Sequence, residues 1–383
     1  MKILFSLTYY HPYISGLTLA VSRWAEGLHA VGNDVSVLCM QHENGLKRTE
    51  RIHGVMVHRA SWIAKISKGF VSIDWILQSW RLAHAHDVIV INLPQFEGII
   101  TALAAKLQGK RVVSIYHCEL ALPESRMNTI IQAVVEVSHF CTLWLSDSVI
   151  TYTRDYARHS RLLTVWRRYT NRDVIPIIPP IPIPKVISRV AAGFKKRIGT
   201  HDIVVGIAAR LAAEKGFEYL FEALSQLKKT RPKQDIHIVV AGPENAVGEE
   251  RYTRYIQTLV RKNANSVTFL GSIAPSQMGS FYHCLDVLVL PSVNSTEAFG
   301  MVQVEAMLCG VPVIASNLPG VRVPVEKTGM GILVNIRDAS GIAAAIQTVT
   351  VHKENYAAPQ KRVYRIFSET QALSSFITAL HSP

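Results

Sequence analysis

Short apolar runs rich in β-branched residues alternate with amphipathic stretches along the whole chain. In the first half these runs predict strands at 2–7, 34–39, 55–60, 87–93, 111–117 and 147–152. Between them, stretches such as LAVSRWAEGLHAVG and GIITALAAKLQG repeat apolar residues at helical spacing and end on a glycine, as many helices do. Strands that alternate with helices of this length indicate βαβ units and a parallel sheet.

The pattern is interrupted once. Residues 174–185, VIPIIPPIPIPK, hold five prolines, which exclude a helix and predict an extended connector. Further strands are then predicted at 203–209, 236–242, 267–271, 286–292, 311–316 and 331–335, with a helix from Gly216.

We therefore predict an α/β chain of two tandem, doubly wound, Rossmann-like domains. The first spans 1–180 and the second 181–360, and a C-terminal helix within 361–383 is expected to pack back on the first domain. Open parallel sheets bind ligands at the carboxyl ends of their strands. The two domains are therefore expected to face each other across a cleft.

The composition is that of a globular protein. Hydrophobic residues make up 49% of the chain, which excludes a disordered protein, and no apolar run approaches the length of a membrane-spanning helix. The five cysteines are scattered without a CxxC pair, so they predict reduced thiols rather than a disulfide frame or a zinc site. A soluble, cytoplasmic protein is expected.

The formal net charge of +13 favours an anionic partner. The basic residues form separate clusters such as KRTER and WRRYTNR. Since the sequence has no zinc-finger spacing, RNP-like motif or helix-turn-helix pattern, no nucleic-acid partner is expected. An anionic membrane surface and a phosphate-bearing substrate are the two anionic partners that the sequence leaves open.

One long stretch repeats apolar residues at helical spacing: Met127, Ile130, Ile131, Val134, Val137, Cys141, Trp144 and Leu145. This spacing predicts a helix that is buried against the first sheet. Combined with the net positive charge, it also leaves open a peripheral contact with an anionic membrane.

Two acids stand out in the mostly apolar segment 295–316, STEAFGMVQVEAMLCGVPVIAS. Glu297 is predicted to lie in a loop and Glu305 near the second turn of a helix that begins at about Gly300. Helical geometry would separate them by roughly 12 Å, too far for the carboxylate pair of a glycoside hydrolase or for a shared metal. The spacing suits two ends of an extended ligand, with an anion at the helix N-terminus between them. A capping Glu297 and an exposed Glu305 would explain the pattern equally well.

Two cations follow the strand predicted at 203–209. Arg210 lies just past the strand, and Lys215 lies at the start of the next helix. Cations at a strand-to-helix loop are suited to clamping a diphosphate. The alternative is an ordinary surface arginine and lysine.

Taken together, these segments resemble the retaining, nucleotide-sugar-dependent glycosyltransferases of family GT4, which have the two-domain GT-B fold. The resembling segments of the second half are RLAAEKGFEYL, VVAGP, VTFLGSI, DVLVLPS and EAFGMVQVEAMLCGVPVIAS. Those of the first half are MKILFSLTYYHPYISG, GNDVSVL, DVIVINLP and VVSIYHCEL. The resemblance implies an acceptor-binding first domain and a second domain that binds the nucleotide-sugar. It also implies transfer of a hexosyl group from a UDP- or GDP-sugar to an acceptor hydroxyl. No cofactor or metal is expected, because the sequence has no Asp-x-Asp motif and the two glutamates are too far apart to share an ion.

The resemblance also implies a role for nine residues. The catalytic set is Glu297, His117, Arg210 and Lys215, and the substrate-binding set is Gly16, Phe299, Gly300, Met301 and Glu305. Glu297 and the backbone of 299–301 would hold the donor sugar, Glu305 the ribose, and the two cations the diphosphate. Gly16 would let the backbone approach the phosphates and the acceptor. His117 would face the sugar, with a structural hydrogen-bonding role as its alternative.

The chain departs from the family pattern at Ser15, where the family usually has a glycine, and this affects the acceptor contacts first. The expected acceptor is a glycan or a lipid-linked molecule in cell-surface glycan or glycolipid synthesis. The protein would then work in the cytoplasm, with peripheral contact at the inner face of the cell membrane. Two rival functions stay open: a nucleotide-sugar epimerase of GT-B-like fold, and a non-catalytic nucleotide-sugar-binding protein.

Overall fold

A computed structural model describes residues 1–66, 69–122, 126–244 and 249–381. The chain divides into two compact units, one formed by Met1–Pro180 with Glu369–Pro383 and the other by Ile181–Ser368. Each unit contains a mainly parallel sheet with helices on both faces. The predicted fold class, α/β with doubly wound parallel sheets, is confirmed.

The first unit has ten described strands: β1 (Lys2–Ser6), β2 (Asp34–Met40), β3 (Thr49–Ile52), β4 (Val55–Ala60), β5 (Ala64–Ile66), β6 (Gly69–Val71), β7 (Val88–Leu93), β8 (Arg111–Tyr116), β9 (Ser148–Thr151) and β10 (Ile175–Pro176). Its first six helices are α1 (Gly16–Ala30), α2 (Ile73–Ala85), α3 (Gly98–Leu107), α4 (Arg126–Leu145), α5 (Arg154–His159) and α6 (Arg161–Thr170). Eight strands form one sheet in the order β10-β9-β8-β7-β1-β2-β4-β3. All its pairs are parallel except β3 with β4, while β5 and β6 form a separate antiparallel pair.

The second unit contains six described strands: β11 (Ile203–Ala208), β12 (Ile236–Ala241), β13 (Val267–Gly271), β14 (Val287–Leu290), β15 (Val313–Ser316) and β16 (Gly331–Val334). Its described α-helices are α7 (Ser188–Ile198), α8 (Phe217–Thr230), α9 (Glu250–Lys262), α10 (Met278–Tyr282), α11 (Met301–Leu308), α12 (Val323–Thr328), α13 (Ala339–Val351) and α14 (Gln360–Ile366). The sheet is parallel throughout, in the order β13-β12-β11-β14-β15-β16. The strand order reverses between β11 and β14, which places a ligand-binding crevice at the carboxyl ends of these two strands.

The last helix, α15 (Glu369–His381), belongs to the first unit. Its Phe376 is fully buried and stacks on Trp24 of α1, with ring centroids 4.4 Å apart. Residues 382 and 383, at the end of the segment predicted to hold a C-terminal helix, lie outside the described residues.

The predicted burial of the apolar side of α4 is wrong. The buried residues of α4 are Ser138, His139, Thr142 and Leu143, whereas Val134 and Val137 are 52% and 63% exposed. The reason is that polar groups of the inward side are bonded within the unit. The Ser138 hydroxyl, for example, donates to the Phe96 carbonyl at 2.7 Å. None of the described helices combines the length and apolarity that crossing a membrane requires.

Candidate functional site

The loops that follow β11 and β14 touch each other at the carboxyl edge of the second sheet. The Val293 amide donates to the Glu214 carbonyl at 3.0 Å. Gly216 has a φ of 65°, and a Cβ at this position would lie 2.2 Å from the Pro291 carbonyl oxygen. Because a side chain would collide with backbone there, only glycine lets the two loops come this close.

The end of β12 supports the loop after β11 in the same way. Gly242 has a φ of 151°, and a Cβ there would lie 2.0 Å from the Ala209 carbonyl oxygen. The Leu211 amide donates to the Pro243 carbonyl at 3.1 Å. Gly242 and Pro243, in the VVAGP segment, thus contact the backbone of Ala209 and Leu211, on both sides of Arg210.

The structure brings two of the four predicted catalytic residues into direct contact. The Lys215 ammonium donates to Glu297 Oε2 at 2.7 Å, and each side chain is 18% exposed. Arg210 forms an ion pair with Glu214, four positions along the chain. Both cations therefore lie at the loop between β11 and α8, each held by a carboxylate and each partly open to solvent.

The N-terminus of α11 lies between the two predicted glutamates. Gly300 precedes the helix with a φ of 74°, and a Cβ there would meet the Leu290 side chain at 2.5 Å. Gly300, at the N-cap, provides no side-chain cap, and the helix dipole favours negative charge at such an N-terminus. Phe299 is buried and packs edge-on against Phe367 with ring centroids 6.0 Å apart, and Met301 begins the helix.

Glu305 is buried within the second unit, at 6% exposure. Its Oε2 accepts a hydrogen bond from the Tyr282 hydroxyl at 2.8 Å. This excludes the alternative of an exposed glutamate on the helix face. A buried carboxylate needs hydrogen-bond donors, and Tyr282, which no sequence pattern singles out, supplies one.

Two buried polar side chains at this site were not predicted. Ser292 follows β14 and Gln303 lies in the first turn of α11, and neither Ser292 Oγ nor Gln303 Oε1 has a hydrogen-bond partner among the described residues. Gln303 Nε2 donates to the carbonyls of Phe299 and Val321 at 2.9 and 3.0 Å. Gln303 thus fixes the segment before α11. The only signal in the sequence is a polar residue in an otherwise apolar turn.

In the first unit, Gly16 is the exposed first residue of α1. Ser15 caps that helix: its hydroxyl accepts from the Thr18 amide at 3.2 Å, while the Ser15 amide donates to Thr18 Oγ1 at 2.8 Å. This is a capping box with threonine as the reciprocal partner. The serine that departs from the family pattern therefore has a structural use.

His117 lies just after β8, and both its ring nitrogens are engaged within the first unit. Nε2 lies 2.9 Å from Asn92 Oδ1, which can only accept, so Nε2 carries the proton. Nδ1 then accepts from the Tyr152 hydroxyl. Burial lowers the pKa of His117 to about 3. These contacts favour the structural alternative, and a contact between His117 and a sugar stays a prediction.

The described residues contain no group of three or more His, Cys, Asp or Glu side chains arranged to hold a metal ion.

Two family models match the chain in succession. The model described as "Glycosyl transferase 4-like domain" matches residues 15–177, and the model described as "Glycosyl transferases group 1" matches residues 191–365.

Curated relatives carry glycosyltransferase names. The D-inositol 3-phosphate glycosyltransferase of Corynebacterium kroppenstedtii is 23% identical over 303 residues, which cover 78% of this chain and 60% of that protein. Its counterpart from Corynebacterium jeikeium is 32% identical over 145 residues, 37% of this chain and 34% of that protein. The chain thus matches less than two thirds of the length of these relatives.

Solved structures with this fold cover nearly the whole chain. The Anabaena protein HepE in complex with UDP-glucose is 21% identical, with a TM-score of 0.78 and 100% of both chains covered. Sucrose-phosphate synthase from Thermosynechococcus elongatus is 18% identical, with a TM-score of 0.76 and coverage of 98% and 97%. At this identity the likeness shows the fold, two Rossmann-like domains of the GT-B type.

Proposed function

The chain belongs to the GT4-type glycosyltransferases of GT-B fold, and from this premise we propose that it is a retaining hexosyltransferase. The donor would be a UDP- or GDP-sugar and the acceptor a hydroxyl of a glycan or a lipid-linked molecule. The observation that carries the proposal is the contact between Lys215 and Glu297. It joins the two sequence segments that were assigned to the donor independently.

In the proposed reaction the bond between the sugar C1 and the diphosphate oxygen breaks, and a bond from C1 to the acceptor oxygen forms on the same face. The acceptor proton passes to the leaving diphosphate. Negative charge on that diphosphate grows as the bond breaks, so fixed positive charges near it lower the barrier. Arg210, Lys215 and the N-terminal amides of α11 would supply them.

The carboxylates at the site would then have different tasks. Glu297, with the backbone of 299–301, would hold the hydroxyls of the reacting sugar, and Glu305 would bind the ribose. Glu214 and Glu297 keep the two cations oriented before the donor arrives, which reduces the reorganisation needed on binding. His117 has no part in proton transfer in this proposal, because both its ring nitrogens are hydrogen-bonded within the first unit and its lowered pKa makes the ring a weak base.

The proposal includes neither cofactor nor metal. We also propose that the protein works in the cytoplasm, with peripheral contact at the inner face of the cell membrane. The reaction would belong to cell-surface glycan or glycolipid synthesis.

Donor binding tests the proposal first. A panel of UDP-, GDP-, ADP- and TDP-sugars is compared by thermal unfolding, since a ligand that binds the folded state raises the transition temperature. We expect one sugar nucleotide to raise it, and the Lys215→Ala variant to lose that shift. If no sugar nucleotide stabilises the protein, the donor site is wrong.

Product analysis then separates the rival functions. The stabilising donor is incubated with the protein alone, and its sugar is identified by chromatography. An epimer of the sugar nucleotide would support the epimerase instead. Binding without any turnover, across glycan and lipid-linked acceptors, would support a binding protein.

A further inference from the structure

The outward sides of α2, α3 and α4 form one apolar surface, which we call the apolar face. On α4 five apolar side chains are 52 to 66% exposed: Met127, Ile130, Val134, Val137 and Trp144. On α2 four are 50 to 66% exposed: Ile73, Ile76, Leu77 and Trp80. Helix α3 packs against both helices and contributes two more exposed leucines, Leu103 and Leu107.

Hydrogen bonds made by polar side chains hold the inward sides of the same helices. Ser79 Oγ and Trp75 Nε1 of α2 both bond Thr101 Oγ1 of α3, at 3.0 and 3.1 Å. On α4, His139 Nε2 accepts from the Gln95 amide at 3.1 Å. These buried polar groups are satisfied and lie among buried apolar residues of the same helices. The three helices are thus fixed on the unit while the apolar side chains named above stay exposed.

This arrangement departs from the usual polarity of a helix layer. A surface helix of a globular protein normally turns its polar side to water. Here three neighbouring helices each expose large apolar side chains, and exposed apolar patches mark contacts with a protein or a membrane.

A group of arginines lies on α6, which packs beside α4, and on α5, which packs against α6. Helix α6 packs beside α4, where Arg161 forms an ion pair with Glu136. Three further arginines of α5 and α6 are exposed, and no carboxylate of the described residues forms an ion pair with them: Arg154, Arg158 and Arg168. We call these three residues the basic rim.

The acids of the three helices do not offset this charge. Asp74 of α2 pairs with Arg48 at 2.6 Å, Glu136 of α4 pairs with Arg161, and the sequence of α3 contains no acid. An apolar surface with a positive border complements the headgroups and acyl boundary of an anionic bilayer. A two-fold contact with a second copy would bring like-charged rims to one interface, which disfavours that partner.

We propose that the apolar face and the basic rim dock the first unit on the surface of an anionic lipid bilayer. The apolar side chains of α2, α3 and α4 enter the headgroup region, and the arginines of the basic rim contact lipid phosphates. This identifies the surface for the membrane contact expected above. It does not rest on the transfer reaction, because the bilayer contact would hold whether or not the protein transfers a sugar.

Vesicle co-sedimentation of the full chain tests the proposal. Vesicles of phosphatidylcholine alone are compared with vesicles of phosphatidylcholine and phosphatidylglycerol, at low and high salt. We expect binding to the anionic vesicles that weakens with salt, since the rim charges are screened. The double variant Val134→Asp/Val137→Asp should bind anionic vesicles more weakly by a factor of roughly ten or more, because it places charge at the acyl boundary.

Val351→Asp is the matched control. Val351 is 61% exposed on α13 of the second unit, against 63% for Val137, so the same substitution is made at equal exposure away from the apolar face. This control should bind vesicles like the wild type, and the thermal shift with donor sugar should be the same in all variants. That shift reports on the second unit, so a loss of vesicle binding stays distinguishable from a failure of the donor site.

Three results would overturn the proposal. The first is wild-type protein that binds neither kind of vesicle, and the second is a double variant that binds anionic vesicles as tightly as the wild type. The third is light scattering that shows a wild-type dimer and a monomeric double variant, with vesicle binding unchanged. That third outcome would assign the apolar face to a second copy of the chain.

Discussion

Lys215 and Glu297 lie 82 positions apart in the chain, and their side chains meet at 2.7 Å. If the lysine stabilises charge on a leaving diphosphate, Lys215→Ala should lower kcat by roughly 100-fold or more, as removal of a preorganised charge-stabilising group does. The free energy of unfolding should fall by no more than about 1 kcal/mol, because the pair is partly exposed.

Lys353→Ala is the matched control for this variant. Lys353 also forms an ion pair in the second unit, with Asp286 at 3.1 Å, but on a different part of the sheet. It should leave kcat unchanged in a donor-turnover assay. Equal turnover of Lys215→Ala and Lys353→Ala would remove Lys215 from the site.

A second prediction at the residue scale concerns His117 and the pH dependence of the free energy of unfolding. Burial lowers its pKa to about 3 in the folded protein, while an unfolded histidine titrates near 6.5. Below pH 6.5 the unfolded chain therefore binds one more proton. The folded state loses up to about 1.4 kcal/mol per pH unit from this group as the pH falls towards 3.

Urea unfolding between pH 7 and 4 measures this slope. We expect a smaller slope for His117→Gln than for the wild type, and an unchanged slope for His84→Gln, which alters an exposed histidine of the same unit. If His117→Gln keeps the wild-type slope, His117 is not the neutral, buried ring described here.

At the scale of the elements, the close approach of the loops after β11 and β14 can be tested with two glycines. Gly216 and Gly310 have similar positive φ values, 65° and 78°, but only Gly216 has backbone within 4 Å of a Cβ position. Gly310→Ala should cost about 1 kcal/mol of unfolding free energy, from backbone strain alone.

Gly216→Ala carries the same strain and must in addition push the Pro291 carbonyl away. It should therefore destabilise the protein more than Gly310→Ala and should also weaken donor binding, because Lys215 moves with the loop. Thermal unfolding and donor titration of the two variants provide the comparison. Equal stability and equal donor affinity would show that the contact with Pro291 is not needed.

The elements also show how far the sequence could predict this fold and site. Strands such as β7, in which all six residues are buried and only Asn92 is polar, contain strong apolar runs, and the sequence predicts them. Short β3 and the pair β5 and β6 were missed, since β3 alternates exposed and half-buried residues and therefore lacks a strong apolar run. For α4, the spacing of apolar residues predicts which of them share one face of the helix. It does not predict whether that face is buried or exposed to solvent. The inward direction is set by hydrogen bonds to distant residues such as Gln95.

In the proposed donor site, charged residues near strand ends are the easiest to recognise from the sequence. Arg210, Lys215 and Glu297 stand out in an apolar context, while their roles, and those of residues 299–301, come from the family resemblance. Gln303 was missed because its role depends on the Val321 carbonyl, 18 positions away. Such a contact leaves no trace in local spacing.

At the scale of the whole molecule, the chain crosses twice between its units, since α15 returns to the first unit. All six tryptophans lie before residue 181, so tryptophan fluorescence reports on the first unit alone. Donor-dependent stabilisation reports on the second. The two units can therefore be followed separately in one sample.

Phe376→Ala uses this separation. The Phe376 ring is fully buried against Trp24, and removing a buried aromatic ring typically costs about 3 to 5 kcal/mol. The loss should fall on the first unit although the substitution lies at the C-terminal end of the chain. Unfolding followed by tryptophan fluorescence should therefore shift to lower urea, while the donor-dependent stabilisation of the second unit persists.

Val351→Ala, at an exposed position of α13, should shift neither signal. If Phe376→Ala leaves the fluorescence transition in place, the packing of α15 against Trp24 does not stabilise the first unit.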